Sequence, residues 1–185
     1  MSQTTGQPPD QTTPTLADEA YDLLLWADRL TTEELEWLIG LAGRTSGPAF
    51  LDEALSEDKI TDETVADLIG SVWSMAEFPD RHLDRDTWRW MFDVAGFTID
   101  GKPAPRPDDP MTLYRGSVPE RRDDWSWTWT LDVAKKFAVG TAGRPPSLLW
   151  VCTVPPANML AINTGRAEDE VVVDTRGLRI AEVSL

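Results

Sequence analysis

Residues 125–130, Trp-Ser-Trp-Thr-Trp-Thr, alternate large aromatic side chains with hydroxyl side chains. A period of two is typical of a β-strand, because successive side chains of a strand point to opposite faces of the sheet. We therefore predict that the three tryptophans share one apolar face and that Ser126, Thr128 and Thr130 share the other. Hydroxyl groups that face the protein interior need hydrogen-bonding partners.

Charged residues on two other segments are suitable partners for these hydroxyls. Arg115 follows the apolar residues of segment 111–115, and Glu168 and Glu170 immediately precede a run of three valines. Both segments are predicted strands, so the guanidinium, the hydroxyls and the carboxylates can meet on one sheet. The three segments are predicted to form a single functional site.

The hydrophobic period changes from helical to strand-like near residue 110. Strands are predicted after it, at 111–115, 125–130, 148–154, 158–162, 169–174 and 177–184. One short helix, over residues 132–138, is predicted between the second and third of these strands. Residues 111–185 are therefore predicted to form a small, mostly antiparallel β core.

The first part of the chain carries helical patterns. Residues 1–14 are polar and proline-rich, which predicts a disordered tail. A helical region over 15–95 follows, with apolar spacing and N-terminal capping signals that predict helices at 16–30, from Thr31 to about Gly43, at 49–55, at 61–78 and at 84–95. Residues 96–110 are predicted to be a short hairpin or extended connector. The predicted fold class is α+β, with a helical N-terminal layer followed by the β core.

Composition excludes several kinds of site. The chain has 185 residues with one cysteine, Cys152, and one histidine, His82. An intramolecular disulfide, a cysteine-based zinc site, a histidine cluster for a metal and a Ser-His-Asp triad are therefore excluded. The chain has no recognisable signal peptide and no apolar run approaching eighteen residues, so we expect a soluble, cytoplasmic protein without membrane contact.

The net charge of −15 lies entirely in the first part of the chain. Residues 1–110 hold 8 lysines and arginines against 23 acidic residues, whereas residues 111–185 hold 9 of each. The excess is typical of a solvated helical surface, although a face that docks a basic partner or mimics nucleic acid has the same pattern. Either surface disfavours non-specific binding to nucleic acid.

The order of the site residues resembles a known family. The motifs are Tyr114-Arg-Gly116, Ser126-Trp-Thr128 with Ala134 and Phe137-Ala138 behind it, and Glu168-Asp-Glu170. They resemble the Arg, Ser-x-Thr and Glu-x-Glu signatures of mono-ADP-ribosyltransferases, in the branch that contains the clostridial-type toxins and many small phage and actinobacterial proteins. The resemblance covers residues 111–174 and implies a catalytic core of ADP-ribosyltransferase type.

The resemblance implies a role for each matching residue in binding and cleaving NAD. Arg115 would bind the phosphates and the nicotinamide ribose, and the backbone at Gly116 would bind the nicotinamide carboxamide. Ser126 would orient the catalytic glutamate, with Thr128 as the third member of its motif, although Thr128-Trp-Thr130 also fits the same pattern. Tyr114 neighbours the site in sequence, but strand alternation turns it away from Arg115 and Ser126 and favours core packing.

The two glutamates would carry the chemistry. Glu170 matches the catalytic glutamate, and Glu168 matches the residue two positions earlier, where a glutamate in the family often accompanies arginine as the acceptor. Cleavage of a nicotinamide–ribose bond passes through an oxocarbenium-like state, which an ionised carboxylate stabilises. Two positions earlier on a strand is the same face, so Glu168 would serve as general base. No metal is required.

Three functions remain open from the sequence. The first is transfer of ADP-ribose from NAD to a macromolecular acceptor, with protein arginine favoured and nucleic acid possible. The second is an NAD glycohydrolase that acts as a toxin by depleting NAD from the same site. The third is a non-catalytic acidic interaction or inhibitor protein. Only 55 positions separate Arg115 from Glu170, which is short for the family and predicts a reduced NAD-covering loop at 139–147.

Overall fold

A computed structural model describes residues 16–76, 78–139, 147–165 and 169–183 of the chain. The predicted tail at 1–14 and Glu168 lie outside the described residues. The helices are α1 Leu16–Trp26, α2 Thr32–Ser56, α3 Asp62–Met75, α4 Pro79–His82, α5 Arg85–Ala95 and α6 Leu131–Val139. The strands are β1 Thr98–Ile99, β2 Lys102–Pro103, β3 Met111–Ser117, β4 Ser126–Thr128, β5 Leu148–Val154, β6 Met159–Asn163, β7 Glu170–Val173 and β8 Ile180–Val183.

The helical layer begins where the capping signals predict. Thr31 and Glu34 form a capping box at the start of α2, and the side chains of Thr61 and Asp84 accept backbone N–H bonds at the starts of α3 and α5. The helix end predicted near Gly43 is confirmed as a break, because the φ of 73° and ψ of −178° at Gly43 are non-helical and mark a kink between two helical parts of α2. The second part continues to Ser56 and contains the short helix predicted at 49–55. No helix in the described ranges is long and apolar enough to cross a membrane.

The eight strands of the described residues form one mixed sheet in the order β2-β1-β6-β7-β4-β3-β5-β8. Every neighbouring pair is antiparallel except β1 and β6, which are parallel. Helices α1 to α5 precede the main strands and only α6 lies among them in the described residues, so the predicted α+β class is confirmed. The connector predicted at 96–110 contains the small hairpin β1–β2, which extends one edge of the sheet.

Two apolar clusters lie on opposite faces of this sheet. The larger joins the inward faces of α1, α2, α3 and α5 to Leu160, Ala161 and Val172 of the sheet. The second contains Val171 and Val173 of β7 together with buried residues of β3, β4 and β5. The alternation of the three valines between clusters follows from the period of two along a strand.

The prediction that three tryptophans share one face is wrong for Trp125. The strand β4 spans only Ser126–Thr128, so Trp125 lies before it and enters the helix-side cluster, where its ring stacks on Trp73 at 5.9 Å between centroids. Trp127 and Trp129 pack in the opposite cluster. A strand of three residues imposes its alternation on fewer side chains than a six-residue pattern suggests.

Asp174 joins the helical layer to the end of β7. Its buried carboxylate accepts hydrogen bonds from Arg89 of α5 at 2.9 Å and from Arg176 at 2.9 and 2.8 Å. Burial by itself would raise the pKa of Asp174, but the hydrogen bonds from Arg176 and Arg89 outweigh it and hold the pKa below its usual range. The charged form of Asp174 therefore stabilises the folded chain.

Replacing Asp174 with asparagine is predicted to lower the free energy of unfolding near neutral pH by about 1–3 kcal/mol, because two arginines lose a charged acceptor. Since the pKa of Asp174 is lower in the folded state, wild type holds this advantage above the ordinary aspartate pKa and loses it as the pH falls through the folded value. Urea unfolding at a series of pH values should show the difference between Asp174→Asn and wild type shrinking below about pH 4.

The matched control is Asp93→Asn, which removes the exposed i,i+4 partner of Arg89. An exposed pair contributes about 0–1 kcal/mol, so this variant should unfold close to wild type at every pH. Equal losses in the two variants would contradict the role given to Asp174.

Candidate functional site

A cleft of about 670 Å³ lies on the helix-facing side of the sheet. It is flanked by the C-terminal end of α3 on one side and by α6 on the other. Six predicted site residues line it together, and these are Tyr114, Arg115, Gly116, Ser126, Thr128 and Glu170. The seventh, Glu168, lies outside the described residues, as do residues 140–146 of the predicted NAD-covering loop.

Glu170 is held by three hydrogen-bond donors. The indole Nε1–H of Trp73 donates to its Oε1 atom at 3.2 Å, while Ser74 Oγ at 2.7 Å and Asn163 Nδ2 at 3.0 Å donate to its Oε2 atom. Trp73 and Ser74 belong to the last turn of α3, and Asn163 is the residue of β6 that pairs with Glu170. The carboxylate therefore has a fixed orientation in the cleft.

Ser126 is linked to Glu170 through an indole group. The same Trp73 N–H that donates to Glu170 lies 3.3 Å from the hydroxyl oxygen of Ser126, so it is shared between the two side chains. Thr128 pairs directly with Glu170 across β4 and β7 and accepts a bond from the backbone N–H of Thr130. Of the two possible registers of the hydroxyl motif, this geometry favours Ser126-Trp-Thr128.

Arg115 is hydrogen-bonded to the segment that leads into β4. Its guanidinium donates to the carbonyl oxygen of Arg121 at 3.0 Å, to that of Ser126, and to Asp124 Oδ2 at 2.8 Å. Burial lowers the pKa of Arg115, and the nearby Asp124 carboxylate opposes that shift. These bonds use three of the five N–H groups of the guanidinium, so its first role in the fold is to hold the Ser126 strand.

Tyr114 and Gly116 lie on the face of β3 that carries α6. Tyr114 pairs directly with Thr128, so its side chain shares the face of the hydroxyls and the prediction that alternation turns it away from Ser126 is wrong. The prediction of core packing is closer, because half-buried Tyr114 contacts the cluster formed by Ala134, Ala138 and Leu149. The register between β3 and β4, which the sequence does not contain, decides this placement.

Arginines are concentrated in the lining of the cleft in an otherwise acidic chain. The lining residues include five arginines against three acidic residues, with the arginines at Arg44, Arg81, Arg85, Arg115 and Arg121. The guanidinium groups of Arg81 and Arg121 lie 4.4 and 4.5 Å from the centroid of the Phe78 ring. Arg121 is also paired with Asp124, whereas exposed Arg81 has no ion pair within the described ranges. The local charge favours an anionic ligand.

Sequence patterns missed the contribution of α3 and β6 to this site. Trp73 and Ser74 end a helix whose other features are those of ordinary core packing, and Asn163 ends an apolar strand. A polar residue at the end of each apolar element was the available signal. Neither position identifies its partner, because Ser74 and Glu170 are 96 positions apart in the sequence and come together only on folding.

Gly116 permits the close packing of α6 on β3. A Cβ atom at this position would lie 2.5 Å from the backbone nitrogen of Ala138, and closer still to the carbonyl oxygen of Ala134. Gly116→Ala is therefore predicted to lower the free energy of unfolding by about 1–3 kcal/mol, because backbone atoms cannot move aside as a flexible side chain can. Chemical denaturation measures this loss.

The matched control is Gly40→Ala on α2, where an added Cβ has no neighbour within 4 Å. Alanine has the higher helix propensity, so this variant should be as stable as wild type or more stable by up to about 1 kcal/mol. A Gly116→Ala variant of wild-type stability would contradict the close approach of α6.

Comparison with known proteins gives no match for this chain among protein-family models, curated proteins or solved structures.

Proposed function

We propose that this protein transfers ADP-ribose from NAD to a macromolecular acceptor, with release of nicotinamide. The observation that carries the proposal is the linkage of Arg115, Ser126 and Glu170 in one cleft. Arg115 donates to the carbonyl oxygen of Ser126, and the Trp73 N–H joins the Ser126 hydroxyl to the Glu170 carboxylate. The guanidinium, hydroxyl and carboxylate that resemble the signatures of mono-ADP-ribosyltransferases thus come from three neighbouring strands, in an α+β fold that we propose to be of ADP-ribosyltransferase type.

The residues of the cleft suit a dinucleotide in size and charge. Its volume of about 670 Å³ lies within the usual range for sites that bind small molecules. The diphosphate of NAD carries negative charge, which the arginines that line the cleft can neutralise. These arginines are concentrated there although the net charge of the chain is −15. Because Arg115 is largely committed to Asp124 and two carbonyl oxygens, we assign the outer phosphate contact to Arg81 instead.

NAD supplies a nicotinamide–ribose bond whose cleavage develops positive charge on the ribose. A carboxylate fixed beside that charge stabilises the transition state without reorganising, and Glu170 meets this requirement through its three donors. Ser126 and Thr128 supply hydroxyls on the same face. By its place in the motif, Glu168 would accept a proton from the incoming nucleophile. The resemblance at this position makes protein arginine the favoured acceptor.

Glu170→Gln is predicted to reduce NAD cleavage at least about 100-fold, because the neutral amide cannot stabilise developing positive charge. The substrate is NAD that carries a label in its adenosine part. Release of nicotinamide measures cleavage, and the label shows whether the ADP-ribose is attached to protein, attached to nucleic acid or free. Label on a macromolecule supports transfer, and free ADP-ribose alone identifies a glycohydrolase. Wild type that releases no nicotinamide contradicts both enzymatic functions.

The matched control is Glu182→Gln, which alters a glutamate of β8 outside the cleft and should keep wild-type activity. In Glu170→Gln the new amide group would face three donors, which can disturb the local structure. Glu170→Asp is therefore a second variant, which keeps the negative charge but has a side chain shorter by one methylene. Thermal melting identifies any variant that is simply unfolded. A folded Glu170→Gln variant with full activity removes Glu170 from the assigned role.

Arg81→Gln is predicted to raise KM for NAD about 10-fold, equivalent to about 1.4 kcal/mol, with kcat changed much less. The reason is that Arg81 has no ion pair within the described ranges and is available to a phosphate. Steady-state kinetics measure both constants, and Arg179→Gln, at an exposed arginine outside the cleft, is the control. Equal KM values for the two variants would contradict a phosphate contact at Arg81.

A further inference from the structure

The helical layer meets the catalytic carboxylate at one point, which is the last turn of α3. Trp73 and Ser74 both contact Glu170 there, across 97 and 96 positions of sequence. The motifs that resemble ADP-ribosyltransferases begin only at residue 111, so they include neither of these side chains. The acidic helical layer thus contributes polar contacts to the site as well as an apolar core.

We propose that Trp73 and Ser74 are positioning residues for Glu170, so that the end of α3 is an obligatory part of the catalytic site. The proposal rests on the function assigned to Glu170 above. Trp73 and Ser74 would act through the carboxylate, by fixing which oxygen atom faces the substrate and in which direction.

The indole of Trp73 differs from the other buried indoles in its choice of acceptor. Trp88, Trp127 and Trp150 each donate their Nε1–H to a backbone carbonyl oxygen, whereas Trp125 has no partner among the described residues. Trp73 donates to two side chains instead, Ser126 Oγ and Glu170 Oε1. A backbone carbonyl satisfies a buried indole equally well, so packing alone does not require these two acceptors.

The two oxygen atoms of Glu170 have unequal environments. Oε2 accepts from both Ser74 and Asn163, and Asn163 Nδ2 also lies 3.1 Å from Ser74 Oγ, so each of these three side chains contacts the other two. Among the residues that the structure describes, Oε1 accepts a single bond, from the N–H that Trp73 shares with Ser126. A carboxylate oxygen can accept more than one bond, so Oε1 is the oxygen with capacity left for a ribose hydroxyl.

A glycine lets α3 come close enough for these contacts. A Cβ atom on Gly70 would lie 2.6 Å from Asn163 Oδ1, so a larger residue at this position would displace the Asn163 side chain from its present position. Asn163 in turn pairs with Glu170 in the β6–β7 ladder. The sheet register and the approach of α3 together set the position of the three donors within the range that hydrogen bonds require.

The test uses Trp73→Phe, which removes the N–H but keeps an aromatic ring, and Ser74→Ala, which removes the hydroxyl. Each should lower kcat for NAD cleavage about 10-fold to 100-fold, because a misplaced catalytic group loses rate more than binding, while KM changes less than about 3-fold. Ser74→Thr restores a hydroxyl and should recover most of the lost kcat. Trp150→Phe is the control, since it deletes a buried indole N–H whose acceptor is the Ser117 carbonyl oxygen, outside this set.

A second measurement reads the position of Glu170 without any turnover. In protein labelled with carbon-13 at the glutamate carboxyl groups, the Glu170 signal is assigned by its absence in Glu170→Gln. Trp73→Phe and Ser74→Ala should shift that signal, and Trp150→Phe should leave it in place. Unshifted signals in the first two variants, or a kcat equal to that of Trp150→Phe, overturn the proposal. Shifted signals in the two variants, together with a wild type that does not cleave NAD, support the contacts but refute the assigned function, so the two failures are distinguishable.

Discussion

A hydrogen bond shared by three side chains links the helical layer to the sheet at the candidate site. The indole N–H of Trp73, at the end of the helical layer, lies between the Ser126 hydroxyl and the Glu170 carboxylate of the sheet. An unpaired buried N–H or carboxylate is costly, so each of these groups constrains where the others can lie. The stacking of Trp73 on Trp125 and its edge contacts with Trp88 and Phe92 fix the donor in turn. In this region the packing of the core therefore also fixes the geometry of the site.

The lining of the cleft has more arginines than acidic residues, whereas the chain as a whole is acidic. The first 110 residues carry the whole excess of acidic groups, yet arginines outnumber acids in the cleft lining. The general negative field repels polyanions from the helical surface, whereas the local cations favour a small anion that enters the cleft. Asp124 balances part of this positive charge by accepting bonds from Arg115 and Arg121. An anionic ligand in the cleft would find Arg115 already bonded to the protein and Arg81 exposed to solvent.

Local patterns anticipated most of the elements but not every boundary. The period of two gave six strands, all present with shifts of a few residues, and the capping residues Thr31, Thr61 and Asp84 marked true helix starts. Gly43 breaks α2 as predicted, because its positive φ angle interrupts the helical geometry, and the following turns form a second helical part that buries apolar side chains. Trp125 left the predicted strand face because an aromatic cluster on the helix side was available to it.

The amino-acid order alone determined the α+β class and the presence of Arg115, Ser126 and Glu170 on separate strands, because both follow from local periodicity and motif spacing. It did not determine which side chains hold Glu170. That depended on the β6–β7 register, on the pairing of β4 with β7 and on the approach of α3 at Gly70. The contacts of Trp73 and Ser74 with Glu170 join positions that are 97 and 96 apart in the chain, and local preferences contain no information on such separations. Tertiary packing therefore decided how the helical layer enters the site.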